Sequence, residues 1–122
     1  MIYKKALLAA ATVIVFAGCG ASSTPPLYHW DGSYSSSLYS YINDEYSPQE
    51  QISILEKSVQ DAYTKNAKVP PGLYAHLGLL YSNLGNTKQM QGYFAKEVEL
   101  YPEAKNYIEF LLTQNKTKKA EK

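Results

Sequence analysis

Val69-Pro70-Pro71-Gly72-Leu73-Tyr74-Ala75-His76-Leu77-Gly78-Leu79-Leu80-Tyr81-Ser82-Asn83-Leu84-Gly85 is the stretch on which the fold turns. Pro70, Pro71 and Gly72 cannot continue a helix arriving from upstream, so they separate two elements. Leu73 to Leu84 then reads as one helix, and Gly85 is its stop, because glycine enters the left-handed conformation of a C-terminal cap without steric cost. Asn86-Thr87 open a second helix, in which Met90, Phe94, Val98 and Tyr101 line one side. Pro102 ends it. The pattern predicts an antiparallel helical hairpin.

The neighbouring segments carry the same period. Ser47-Pro48-Gln49-Glu50 places a capping serine, a proline at the first helical position and a glutamate three residues after the cap. Ile52, Leu55, Val59 and Ala62 follow as an apolar stripe, up to Asn66. Further upstream, Tyr34, Leu38, Tyr41 and Ile42 fall on one face of a short helix. Downstream, Glu103 to Thr113 presents Ala104, Tyr107, Ile108 and Leu111. The tail, residues 114–122, holds four lysines and no apolar run, and should fray as a flexible Lys-rich end. No segment alternates as a strand would. The expectation is an all-α domain over residues 34–113.

Counted in a 34-residue window from Pro71, Tyr74, Leu77, Gly78, Tyr81, Gly85, Phe94 and Pro102 occupy positions 4, 7, 8, 11, 15, 24 and 32. This pattern resembles the tetratricopeptide repeat, whose small eighth residue lets paired helices pack closely. Met90 and Glu97 stand where that repeat carries a small alanine, which predicts local splaying of the pair. A shift of 39 residues aligns Leu38, Ile42, Leu55 and Val59 with Leu77, Tyr81, Phe94 and Val98, as in a degenerate first repeat. Ile108 and Leu111 lie 34 residues after Tyr74 and Leu77, like a capping helix. Val69–Gly78, together with Tyr28-His29-Trp30-Asp31-Gly32-Ser33-Tyr34 and Leu38-Tyr39, also resembles a family of small bacterial lipoproteins described only as a domain of unknown function. That resemblance implies a gene neighbourhood with a curli-secretion-channel-like lipoprotein, and hence such a partner.

Upstream of the domain the chain reads as an address. Lys4 and Lys5 precede an uncharged run from Ala6 to Ala17, 12 residues long. A helix of that length spans about 18 Å, short of the ~30 Å hydrocarbon core of a bilayer. Phe16-Ala17-Gly18-Cys19 resembles a bacterial lipobox, so residues 1–18 are expected to be a lipoprotein signal peptide and Cys19 the lipid-attachment residue. Gly20 after the cysteine, by resemblance to sorted lipoproteins, implies the periplasmic face of the outer membrane. Residues 19–33 form the lipidated end, a short Ser/Pro tether reaching at most about 25 Å, and an N-terminal aromatic strap.

Composition narrows the chemistry. With 122 residues, 45% apolar and 19% charged, the chain can fold as one domain. A formal charge of +1 and the absence of arginine argue against nucleic-acid binding. One cysteine excludes a disulfide framework or a cysteine-based zinc cage. No metal site, cofactor or catalytic residue is expected, since no Ser-His-Asp order, HExxH or phosphate loop occurs. Acidic pairs such as Glu97 with Glu99 read as solvated helix surface.

The partner-binding candidates follow from the repeat register. His76, Leu79, Ser82 and Asn83 fall on the concave side, where such modules hold peptides; the plainer alternative for His76 is a solvated surface histidine. Tyr28, Trp30 and Tyr34 could stack on a glycan or a partner, or simply pack the strap onto the helices. The expected function is a protein-binding adaptor, not an enzyme. The alternative is a peptidoglycan-binding or envelope-glycan remodelling factor.

Overall fold

The computed structural model describes residues 1–6 and 24–121. Residues 2–6 are helical. The domain then runs α1 (Ser33–Ile42), α2 (Pro48–Thr64), α3 (Leu73–Asn83), α4 (Thr87–Leu100), a 3-10 turn (Pro102–Ala104) and α5 (Lys105–Ala120). The described residues contain no strand, only an isolated parallel bridge between Tyr28 and Lys68. The protein is all-α.

Most helix ends obey local chemistry. Asp31 Oδ1 accepts from the Ser33 N–H at 2.9 Å and from its hydroxyl at 2.6 Å, which starts α1. Ser47 takes the N-cap position of α2 with Pro48 in the first turn, yet the capping box stays open, because the Ser47 hydroxyl turns to Gln49 Oε1 at 3.4 Å. Asn86 caps α4 by accepting the Gln89 N–H at 3.1 Å. Gly85, at φ +74°, ends the preceding α3, as its sequence position predicts.

α3 is the centre of the molecule. Its residues Leu73, Tyr74, Ala75, His76, Leu77, Gly78 and Leu80 are all buried, so it has neighbours on every side. One side joins Ile52, Leu55 and Ala62 of α2, with Tyr34 and Tyr41 of α1. The other joins Met90 and Phe94 of α4 and Ile108 of α5. Gly78 lies at the α3–α4 contact, where a Cβ would overlap the Phe94 ring. Tyr81 and Tyr93 stack at 5.5 Å, and both hydroxyls donate to Glu56 Oε1, at 2.6 and 2.8 Å. This joins α2, α3 and α4.

Four sequence expectations are corrected. Ile42 is 78% exposed, and its place on the inner face of α1 goes to Ser37, which hydrogen-bonds His76 across the α1–α3 contact. Tyr107 is half-exposed, leaving Ile108 as the buried residue of α5. The Lys-rich tail continues α5 to Ala120, because no Gly or Pro interrupts it and Asn115 is held by Ser82 and Met90. Glu97 is the fourth. It is buried, not solvated: its carboxylate accepts the backbone N–H groups of Gly72 at 2.7 Å and Ala75 at 3.2 Å. The N-terminus of α3 has no capping side chain of its own, so α4 supplies one.

Candidate functional site

The sequence candidates separate in space. His76 is 2% exposed, so neither the concave-face reading nor the solvated one holds. Its Nε2 lies 3.0 Å from the Ser37 hydroxyl, its Nδ1 has no partner, and the Tyr41 ring stands edge-on 5.2 Å away. Burial pushes its pKa down to about 4, so the ring is neutral and structural.

Leu79, Ser82 and Asn83 do converge, on a groove between the C-terminal half of α3 and α5. Met90, Phe94, Phe110, Leu111 and Asn115 are among the other residues lining this open cavity of about 950 Å³. Leu79 packs partly buried against the α3–α4–α5 cluster and forms the floor. The Ser82 hydroxyl donates to Asn115 Oδ1 at 3.1 Å, and Asn83 Nδ2 donates to the Tyr46 hydroxyl at 2.7 Å. Phe110 stands 56% exposed at the rim, beside Lys118, Lys119 and Glu121. The arrangement is apolar at its base and polar at its edges, which suits a peptide segment.

The aromatic candidates before α1 also part company. Tyr34 lies in the α1–α3 contact with its hydroxyl against Gly72, and burial together with nearby Glu97 raises its pKa to about 12. Tyr28 is half-buried beside the α2–α3 loop, where the Leu27 carbonyl accepts from Lys68 N–H at 3.0 Å and His29 N–H donates to Lys68 O at 2.8 Å. Trp30 packs edge-on against Tyr34 at 5.9 Å and keeps 61% of its surface exposed. Of the repeat-register residues, Tyr74, Leu77, Gly78 and Phe94 are buried, Tyr81 is half-buried, and Gly85 and Pro102 sit exposed at helix ends. Cys19 lies outside the described residues, as do most of the expected signal peptide and tether.

Sequence reasoning missed Ser37, Glu56 and Glu97, each a polar group satisfied by a partner far along the chain. For Glu97 a signal exists: Pro70-Pro71-Gly72 offers no side-chain oxygen to cap α3, so the acceptor had to come from elsewhere.

The chain belongs to the family described as Domain of unknown function (DUF4810), which it matches over residues 27–111. That match spans the bridge at Tyr28, all of α1 to α4 and the first half of α5, with its buried Ile108. Comparison with curated proteins and with solved structures finds no match.

Proposed function

Starting from a family with no function attached to it, we propose that this chain is a lipid-anchored adaptor on the periplasmic face of the outer membrane. Its helical domain, read as tetratricopeptide-like hairpins, takes a segment of a protein partner in the groove between α3 and α5. The observation that carries this reading is the convergence of Leu79, Ser82 and Asn83 with exposed Phe110 on one groove. A partner side chain can bury against Phe110 and Leu79 while its backbone finds hydrogen bonds at the polar rim. Among the described residues no helix is long and apolar enough to cross a membrane. The proposed anchor is a lipid at Cys19, after the signal-like run, with residues 19–33 as the lipidated end, tether and aromatic strap. The curli-channel-like lipoprotein implied by the family resemblance is the partner to test first.

Crosslinked recovery of that lipoprotein from native membranes, compared between the natural chain and Phe110→Glu, tests the proposal. Recovery should fall at least tenfold while far-UV circular dichroism stays unchanged. Equal recovery from both would reject the groove as the binding site. The exposed Trp30 ring is what favours the glycan-binding alternative; cosedimentation with purified peptidoglycan, lost in Trp30→Ala, would support it instead.

A further inference from the structure

His29 and Asp31 precede α1, and Asp61 lies in the last turns of α2, yet one imidazole nitrogen and two carboxylate oxygens from these residues lie within 4.8 Å of one another. The backbone arranges this meeting. The His29 N–H bond to Lys68 O fastens the segment before α1 alongside the end of α2. Ser33 holds Asp31 Oδ1 with both its N–H and its hydroxyl, which leaves Oδ2 directed at His29 Nε2, 3.2 Å away. His29 is 8% exposed, whereas the Asp31 and Asp61 side chains keep 34% and 39% of their surface, so the cluster is closed on the imidazole side and open to water on the other.

We propose that His29, Asp31 and Asp61 form a binding site for a first-row divalent metal of the Zn²⁺ class. A neutral imidazole with two carboxylates is a donor set for such ions, while Mg²⁺ and Ca²⁺ favour oxygen ligands throughout. Two ligand atoms each about 2.1 Å from one metal are roughly 3.0–3.5 Å apart. The His29–Asp31 pair already has that spacing at 3.2 Å, and the proton that bridges it leaves to water when a metal takes its place. Asp61, on the surface of α2, has to close by at most about 1.8 Å from the 4.8 Å limit of the cluster, within reach of a side-chain rotation. Three protein ligands leave the remaining positions to water. The cation paired with Asp61 is Lys57, whose Nζ is 2.8 Å away on a side chain 76% exposed. Lys57 is therefore a displaceable competitor, not a fixed partner. A bound metal would clasp the segment before α1 to the end of α2.

The test is calorimetric titration of the full chain, untagged and in detergent, with Zn²⁺ and separately with Ca²⁺, alongside thermal melts. One Zn²⁺ should bind, at least tenfold tighter than Ca²⁺, and raise the melting temperature. Asp61→Asn should weaken Zn²⁺ at least tenfold. Lys57→Met should tighten it at least threefold, which zinc held at any other site would not show. Where Asp61→Asn does not fold, the Lys57→Met response carries the test alone. Quenching of Trp30, the only tryptophan and the residue between two of the ligands, by Ni²⁺ provides a local readout. Absence of one-to-one Zn²⁺ binding, or unchanged affinity in Lys57→Met, would overturn the assignment.

Discussion

Replacing Glu97 by alanine probes the contact that makes α3 a central helix. The side chain is 2% exposed and satisfies the N–H groups of Gly72 and Ala75, at 2.7 and 3.2 Å. Truncation leaves both donors without an acceptor, and an unsatisfied buried polar group costs about 1–3 kcal/mol. Since Gly72 is only half-buried and the Ala75 bond is long, the expected loss is about 2–4 kcal/mol in all. For a domain of this size that corresponds to a melting temperature lower by roughly 10–25 °C. Glu97→Gln keeps one acceptor oxygen but turns an NH₂ group toward a donor, so about half of that loss is expected. Burial raises the Glu97 pKa above the ordinary 4.5, outweighing the backbone N–H groups that pull it down. The folded state therefore binds its proton more tightly than the unfolded chain. That contribution is complete below pH 4.5 and is lost as pH rises through the folded value, so the gap between the natural chain and Glu97→Gln should narrow with rising pH. Urea unfolding, followed by circular dichroism at several pH values, measures all three quantities. A Glu97→Ala loss below about 0.5 kcal/mol would refute the cross-helix cap.

The remaining expectations concern the core and the anchor. His76 has a folded pKa depressed to about 4, so it stabilises the fold above its ordinary 6.5 and that stability is lost as pH falls toward 4, to a limit on the order of 3 kcal/mol. His76→Leu should remove this slope in urea titrations, and Ser37→Ala, which strips its hydrogen bond, should cost about 1–2 kcal/mol. Gly78→Ala should destabilise by about 1–3 kcal/mol through overlap with Phe94. Phe94→Leu in the same chain should recover part of that loss, as a double-mutant cycle would show. Cys19→Ala should abolish palmitate labelling and leave an uncut precursor, visible by gel mobility.

Helix placement was legible wherever a local rule decided it. Pro48 at a helix start, Gly85 at a stop and Asn86 at a cap all act within a few residues of themselves. What was not legible depends on groups far apart in sequence. The helical period places Glu97 and His76 at the surface or in the groove, because polar residues on a periodic helix usually face water, yet each is held inside by a partner 22 to 39 residues away. The continuous burial of Leu73 to Gly78 overrides the one-sided pattern that a repeat register assumes. Ile42 illustrates the reverse case: Tyr34, Ser37 and Tyr41 share the inner side of α1, and Ile42, turned about 100° past Tyr41, faces outward at the helix end. The candidate groove was legible in part. The α3 spacing points to Leu79, Ser82 and Asn83, but Phe110 and Asn115 lie on a helix whose second half reads in sequence as a frayed tail.

Photocrosslinking from single positions tests the central claim most directly, that the groove between α3 and α5 is where a protein partner sits. A benzophenone side chain at Gln114, on the groove, should give one discrete adduct in native membranes, and the same probe at Gln60, on exposed α2, should give none. The adduct should vanish when Phe110→Glu is added. An adduct formed from Gln60 and not from Gln114, or one indifferent to Phe110→Glu, would contradict the account.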